Sequence, residues 1–171
     1  MMTSEAEAAG PALLPELTSG FKKLHEQRVS LYDYFEREFL EFLKNSFIDQ
    51  PAAIMRYELL LKSVTFEMTQ ICQAIRDLKT NATSQGLDEL ANLIDNIQNL
   101  EREKFQLTAH FQLSIKSKLT ATAEAPQLLH TDQDVDNLSQ TLEYRAYQQA
   151  KNRLHELINE QIDEMQCLLD T

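Results

Sequence analysis

The side chains best suited to chemistry are four histidines, two cysteines and 27 carboxylates, so their spacing comes first. Helical di-iron sites use two Glu-x-x-His motifs on facing helices. The residues three positions before His25, His110, His130 and His155 are Lys22, Leu107, Gln127 and Asn152, and none is Glu. No His-x-x-x-His or His-Glu-x-x-His places two imidazoles on one helical face. Cys72 and Cys167 form no Cys-x-x-Cys and sit beside apolar residues, which reads as buried small hydrophobes in a reducing compartment. The 3 glycines supply no phosphate-cradling loop, and no serine stands in a nucleophile-elbow context. The expectation is a chain with no catalytic, cofactor-binding or metal-ligating residues, and not an enzyme.

The more informative polar residues interrupt apolar seams. Ile54, Tyr57, Leu61, Val64, Met68, Ile71, Ile75 and Leu78 recur at alternating three- and four-residue steps, the pattern of a helix that lies against other helices. Pro51, with its fixed φ and missing N–H, marks the start of that helix, and Lys79 its end. Before it, Leu17, Phe21, Leu24, Arg28, Leu31, Phe35 and Phe42, widened by Phe39 and Leu43, predict a helix from 17 to 47 with one polar intruder, Arg28. After it, Leu90, Leu93, Ile97, Leu100, Leu107, Phe111 and Ile115 predict a third helix over 87–119, interrupted by Lys104. Each would extend about 45–50 Å at the helical rise.

The break at Asp49-Gln50-Pro51 is too short for anything but an antiparallel return, and Asn81 to Gly86 supplies the next turn. Residues 1–15, small, acidic and broken by Pro11 and Pro15, predict a disordered tail. Residues 120–131 read as a linker. A fourth helix over 132–171 opens with Val135, Leu138 and Leu142 after a loose capping box at Thr131 and Asp134. It closes with Leu154, Ile158, Ile162, Met165 and Leu168, and its polar middle, Tyr144 to Asn152, shifts the stripe. The fold class is all-α: an antiparallel bundle of three long helices over 16–119, then a fourth packed on it or on a partner, all with coiled-coil-like seams.

A formal net charge of −11 opposes general phosphate-backbone binding, so direct nucleic-acid contact is disfavoured. No apolar run approaches the ~20 residues that span a bilayer, and no signal peptide opens the chain. The reading is an intracellular protein, of nucleus or cytoplasm, whose partners are other proteins. A second copy of the chain is one candidate to cover the widened first stripe or the shifted fourth one.

Folding the helices back at the short turns brings Arg28 within a turn or two of Glu101 and Lys104. This predicts a buried Arg28–Glu101 pair, because guanidinium suits carboxylate bidentately. The alternative is that both side chains reach solvent from the seam edge. Glu156, Glu160, Asp163 and Glu164 crowd the fourth helix, as a solvated face or as a docking surface for a basic partner. Tyr144 and Tyr147 beside Arg145 fit interface anchors or ordinary packing equally well.

The stretch Ile97-Gln98-Asn99-Leu100-Glu101-Arg102-Glu103-Lys104-Phe105, continuing through Thr108-Ala109 to Gln112-Leu113, resembles the third helix of the "required for excision 1-B" domain family. Arg56-Tyr57 and Val64-Thr65 agree in the second helix, and Arg28 with the aromatic and Leu positions up to Leu43 in the first. The resemblance covers about residues 17 to 119. It implies a small helical protein associated with DNA excision repair, without an enzymatic activity or cofactor. Arg28, Arg56, Tyr57, Glu101 and Lys104 are the matched polar positions, and they fit structure as well as binding. Two functions follow as expectations: a helical adaptor supporting excision repair, or a structural coiled-coil subunit of a cytoskeletal, ciliary or trafficking assembly.

Overall fold

The computed structural model describes residues 10–46, 48–121 and 142–170. Among the described residues, four helices form an antiparallel bundle: α1 (Gly10–Ser46), α2 (Gln50–Ser84), α3 (Asp88–Ala121) and α4 (Leu142–Cys167). Packing is most extensive between α1 and α2 and between α3 and α4, with α2 against α3 closing the sequence of neighbours. The periodic seams face inward, Val64 and Ile75 on α2 being almost fully covered.

Helix boundaries differ from the sequence expectation where packing overrides local signals. The helix α1 begins at Gly10, inside the segment read as a tail, and carries Pro15 within it. Pro15 removes one backbone bond, but Leu13 and Leu14 pack against the core and hold the turn in place. Residues 1–9 lie outside the described residues. The helix α2 runs on to Ser84 rather than stopping at Lys79, because Ala82 is completely buried. Its end is a Schellman motif: Gly86 N–H donates to Thr83 O at 3.1 Å and Leu87 N–H to Ala82 O at 2.9 Å. Gly86 takes φ 73°, the left-handed conformation that this cap requires. At the α1–α2 return, Asp49 accepts from the Ala52 N–H at 3.2 Å and Pro51 occupies the first turn. The linker at 120–131, the capping box at Thr131 and Asp134, and the seam residues Val135 and Leu138 fall on residues 122–141 in all but the first two positions, outside the described residues.

The core has two halves. One gathers Phe35, Phe39, Phe42, Tyr57, Phe111 and Tyr147; the other gathers Phe21, Ile75, Leu90, Ile97, Ile158 and Met165. The residue levels between the halves carry charge, and there the functional question concentrates.

Gly20 lies inside α1, where glycine costs about 1 kcal/mol relative to alanine. A Cβ built there meets only the Leu78 side chain, Cδ2 at 3.6 Å and Cδ1 at 3.7 Å, both ordinary van der Waals contacts. Gly20→Ala is therefore expected to raise the melting temperature by roughly 2–4 °C, a shift thermal denaturation reads directly. No change, or a decrease, would mean that α1 and α2 approach too closely here for a methyl group.

Candidate functional site

Midway along the bundle, α1 contributes His25, Arg28 and Tyr32, and α3 contributes Gln98, Glu101 and Lys104. Each set recurs at three- or four-residue spacing, so each lies on one face of its helix. Arg28 is 1% exposed and Glu101 3%, with Arg28 Nε 3.7 Å from Glu101 Oε1. The pair is buried but not bidentate. The guanidinium instead divides its donors, giving Nη1 to Gln98 Oε1 and Nη2 to His25 Nδ1 at 3.0 Å. Lys104 Nζ approaches the carboxylate from its own helix, donating to Oε1 at 3.2 Å and lying 3.1 Å from Oε2. The Lys104 ammonium also stands 4.3 Å from the centre of the Tyr32 ring, a cation–π contact, while Tyr32 donates its hydroxyl to Glu101 O at 3.2 Å. Arg28 Nε and Glu101 Oε2 make no hydrogen bond among the described residues.

Electrostatics here follow from burial. Desolvation, reinforced by the Arg28 charge and outweighing the nearby Glu101 carboxylate, pushes the His25 imidazole down to about 4. His25 is therefore neutral at neutral pH, and because Arg28 can only donate, Nδ1 is the acceptor and Nε2 carries the proton. The Phe21 ring stacks on it at 6.1 Å. Burial likewise raises the Tyr32 hydroxyl, so it acts as a neutral donor. The layer thus holds two basic side chains and one carboxylate, all three buried. Most of its donors and acceptors are spent on one another, an arrangement suited to holding α1 and α3 in one register.

The other sequence candidates separate. Tyr57 is buried among Phe35, Phe39 and Phe42, its ring 4.7 Å from Phe42, and donates to Gln112 Oε1 at 2.6 Å. Arg56, the preceding residue, is exposed on α2. On α4, Tyr147 is 7% exposed and stacks on Phe111 at 4.3 Å, its hydroxyl shared between Thr108 and Glu36. It belongs to the core and is not exposed as an anchor. Tyr144 is half-buried beside it, whereas Arg145, Glu156, Glu160, Asp163 and Glu164 are exposed.

The fourth helix docks in cis, along α3 and α1. The apparent stripe shift disappears once Tyr144, Tyr147 and Lys151 are read as inward positions. Lys151 donates to both carboxylate oxygens of Glu36, to Oε2 at 2.6 Å, so its charge is matched across the α1–α4 seam. Both ends of α4 consequently face the same neighbours. Phe39 and Leu43, which widened the first stripe, are buried within the chain and offer nothing to a second copy. Cys167 is exposed and Cys72 half-buried, contrary to the sequence expectation for both; Met165 and Leu168 take the inward places around Cys167.

Sequence reasoning missed His25, Gln98 and Tyr32. The signal was present: His25 stands three residues before Arg28, Tyr32 four after it, and Gln98 three before Glu101. A buried charge needs hydrogen-bonding neighbours at those offsets. Among the described residues no group of His, Cys, Asp and Glu is arranged to hold a metal ion, and no helix is long and apolar enough to cross a membrane.

A protein-family model described as DNA repair REX1-B matches residues 16–115, spanning most of α1, all of α2 and most of α3. No curated protein and no solved structure matches the chain. The matched region contains the whole buried polar layer, and α4 lies beyond it.

Proposed function

We propose that this chain, which belongs to the DNA repair REX1-B family, is a non-catalytic helical adaptor that supports DNA excision repair through contacts with other proteins. The family membership is the observation that carries this reading. The polar layer is consistent with it, since its ionisable groups are consumed in holding helices together. The excess of carboxylates favours basic protein surfaces over phosphate backbones as partners. The exposed row Glu156, Glu160, Asp163 and Glu164 on α4 offers such a surface. A nuclear or cytoplasmic location fits this work.

Cells lacking the protein are expected to survive ultraviolet irradiation less well and to remove lesions more slowly, with both defects restored by the intact chain. Normal survival together with normal lesion removal would overturn the repair role. Proximity labelling that returned motor, ciliary or vesicle proteins instead would move the assignment to a structural coiled-coil subunit, a class in which long seamed helices of this kind also occur.

A further inference from the structure

The helix α2 carries a second apolar row that the fold leaves uncovered. Met55, Leu59 and Phe66 are 63%, 61% and 66% exposed, the densest run of large exposed apolar side chains on any one helix described. At 100° per residue they point directly away from the buried face of Tyr57, Val64, Met68 and Ile75. With Lys62 they follow steps of four, three and four residues, so a heptad seam runs along the outside of α2 as well as the inside.

We propose that this outer face of α2 is a self-association surface, on which a second copy of the chain lays its own α2 antiparallel. The flanking charges suit this occupant, and Lys62 within the row sets the direction. An antiparallel pairing about a two-fold axis between residues 60 and 61 seats Met55 on Phe66 of the partner subunit. It also lays the Lys62 stem along Leu59 of the partner subunit, its ammonium reaching the rim. Arg56 and Glu67 lie on one flank of the row, and in this register Arg56 faces Glu67 of the partner subunit. Glu58 and Lys62 lie on the other flank and meet in the same reciprocal way; Glu58 is already paired with Lys116 at 3.0 Å, which leaves its second oxygen for Lys62. A parallel pairing would instead set Lys62, the one charge within the row, against its own copy, like charge on like. All of these residues are exposed, so none is needed for folding of the single chain. One helix pair is a small interface, and the dimer is expected to form in the micromolar range.

Sedimentation equilibrium of the full chain over a wide concentration range tests the proposal. The expected result is a reversible rise from the monomer mass to twice that mass. Phe66→Asp should weaken association by roughly 30-fold or more, as loss of a buried aromatic anchor does, with circular dichroism and melting temperature unchanged. Arg56→Glu should weaken it several-fold, and the double variant Arg56→Glu with Glu67→Arg should restore it, since both partners of the pair are then exchanged. A monomer at every concentration overturns the proposal. So does a dimer that ignores Phe66→Asp, because its interface lies elsewhere, or a double charge exchange without rescue, which removes the antiparallel register. Should Phe66→Asp disturb folding, Leu59→Lys makes the same test on the same face.

Discussion

Glu101→Gln is expected to lower the unfolding free energy by about 3–5 kcal/mol, the cost of leaving buried cations without their counter-charge. The substitution keeps the shape of the side chain and leaves an oxygen for the Lys104 ammonium, so the loss reports charge and not volume. Arg28 and Lys104 are 1% and 5% exposed and cannot recover the lost attraction from water without opening the α1–α3 contact. Measured against a typical total stability of about 5–15 kcal/mol, such a loss is large enough to shift the melting temperature by roughly 10 °C. Urea titration at neutral pH gives the number. A loss under about 1 kcal/mol would mean that water already reaches the layer.

The same argument predicts how the loss can be reversed. Removing all three charges together, Arg28→Met with Glu101→Leu and Lys104→Met, should recover much of the stability lost in Glu101→Gln, because no buried charge is then left without its counter-charge, although Gln98 and His25 lose the Arg28 donor. If the polar layer exists to fix register, the triple variant melts at a similar temperature but less cooperatively. The charges and the apolar halves of the core thus divide the work: the halves supply the stabilising burial, and the layer selects one alignment of α1 against α3.

The parts of this molecule that were legible in the sequence are those governed by period. Four seams at three- and four-residue steps dictate helices, and a three-residue return forces antiparallel neighbours, so the arrangement of α1, α2 and α3 follows from spacing alone. Arg28 and Glu101 were visible as intruders because their seams are otherwise apolar. Their geometry was not legible. A bidentate pair requires the guanidinium to face the carboxylate squarely, and His25 and Gln98 draw its Nη atoms away. The burial of Tyr147 was hidden for a similar reason. An aromatic hydroxyl among glutamines reads as polar until Thr108 and Glu36, from two other helices, are placed beside it. Helix ends at Gly10 and Ser84 were missed because tertiary cover at Leu13, Leu14 and Ala82 outweighed the local proline and asparagine signals.

Acidification should expose the second large effect, through His25. Its folded-state value of about 4 lies below the 6.5 of an unfolded chain, so between these values the unfolded state binds more protons. Stability is fully present above pH 6.5 and falls as the pH drops from there towards 4, at up to 1.4 kcal/mol per pH unit. Down to about pH 5 this amounts to roughly 2 kcal/mol, before ordinary carboxylates begin to titrate. The physical cause is crowding of charge: a protonated His25 would lose its bond from Arg28 and face Arg28, Lys104 and, from α4, His155, with Glu101 the one carboxylate of the layer opposing them. Unfolding measured at neutral pH and at about pH 5 should show this slope in the native sequence, and His25→Gln should flatten it while leaving an amide oxygen for Arg28. A slope that persists unchanged in His25→Gln would place the titrating group elsewhere. A native chain as stable at about pH 5 as at neutrality would mean that the imidazole is protonated without strain, and that the layer is more open to water than its geometry shows.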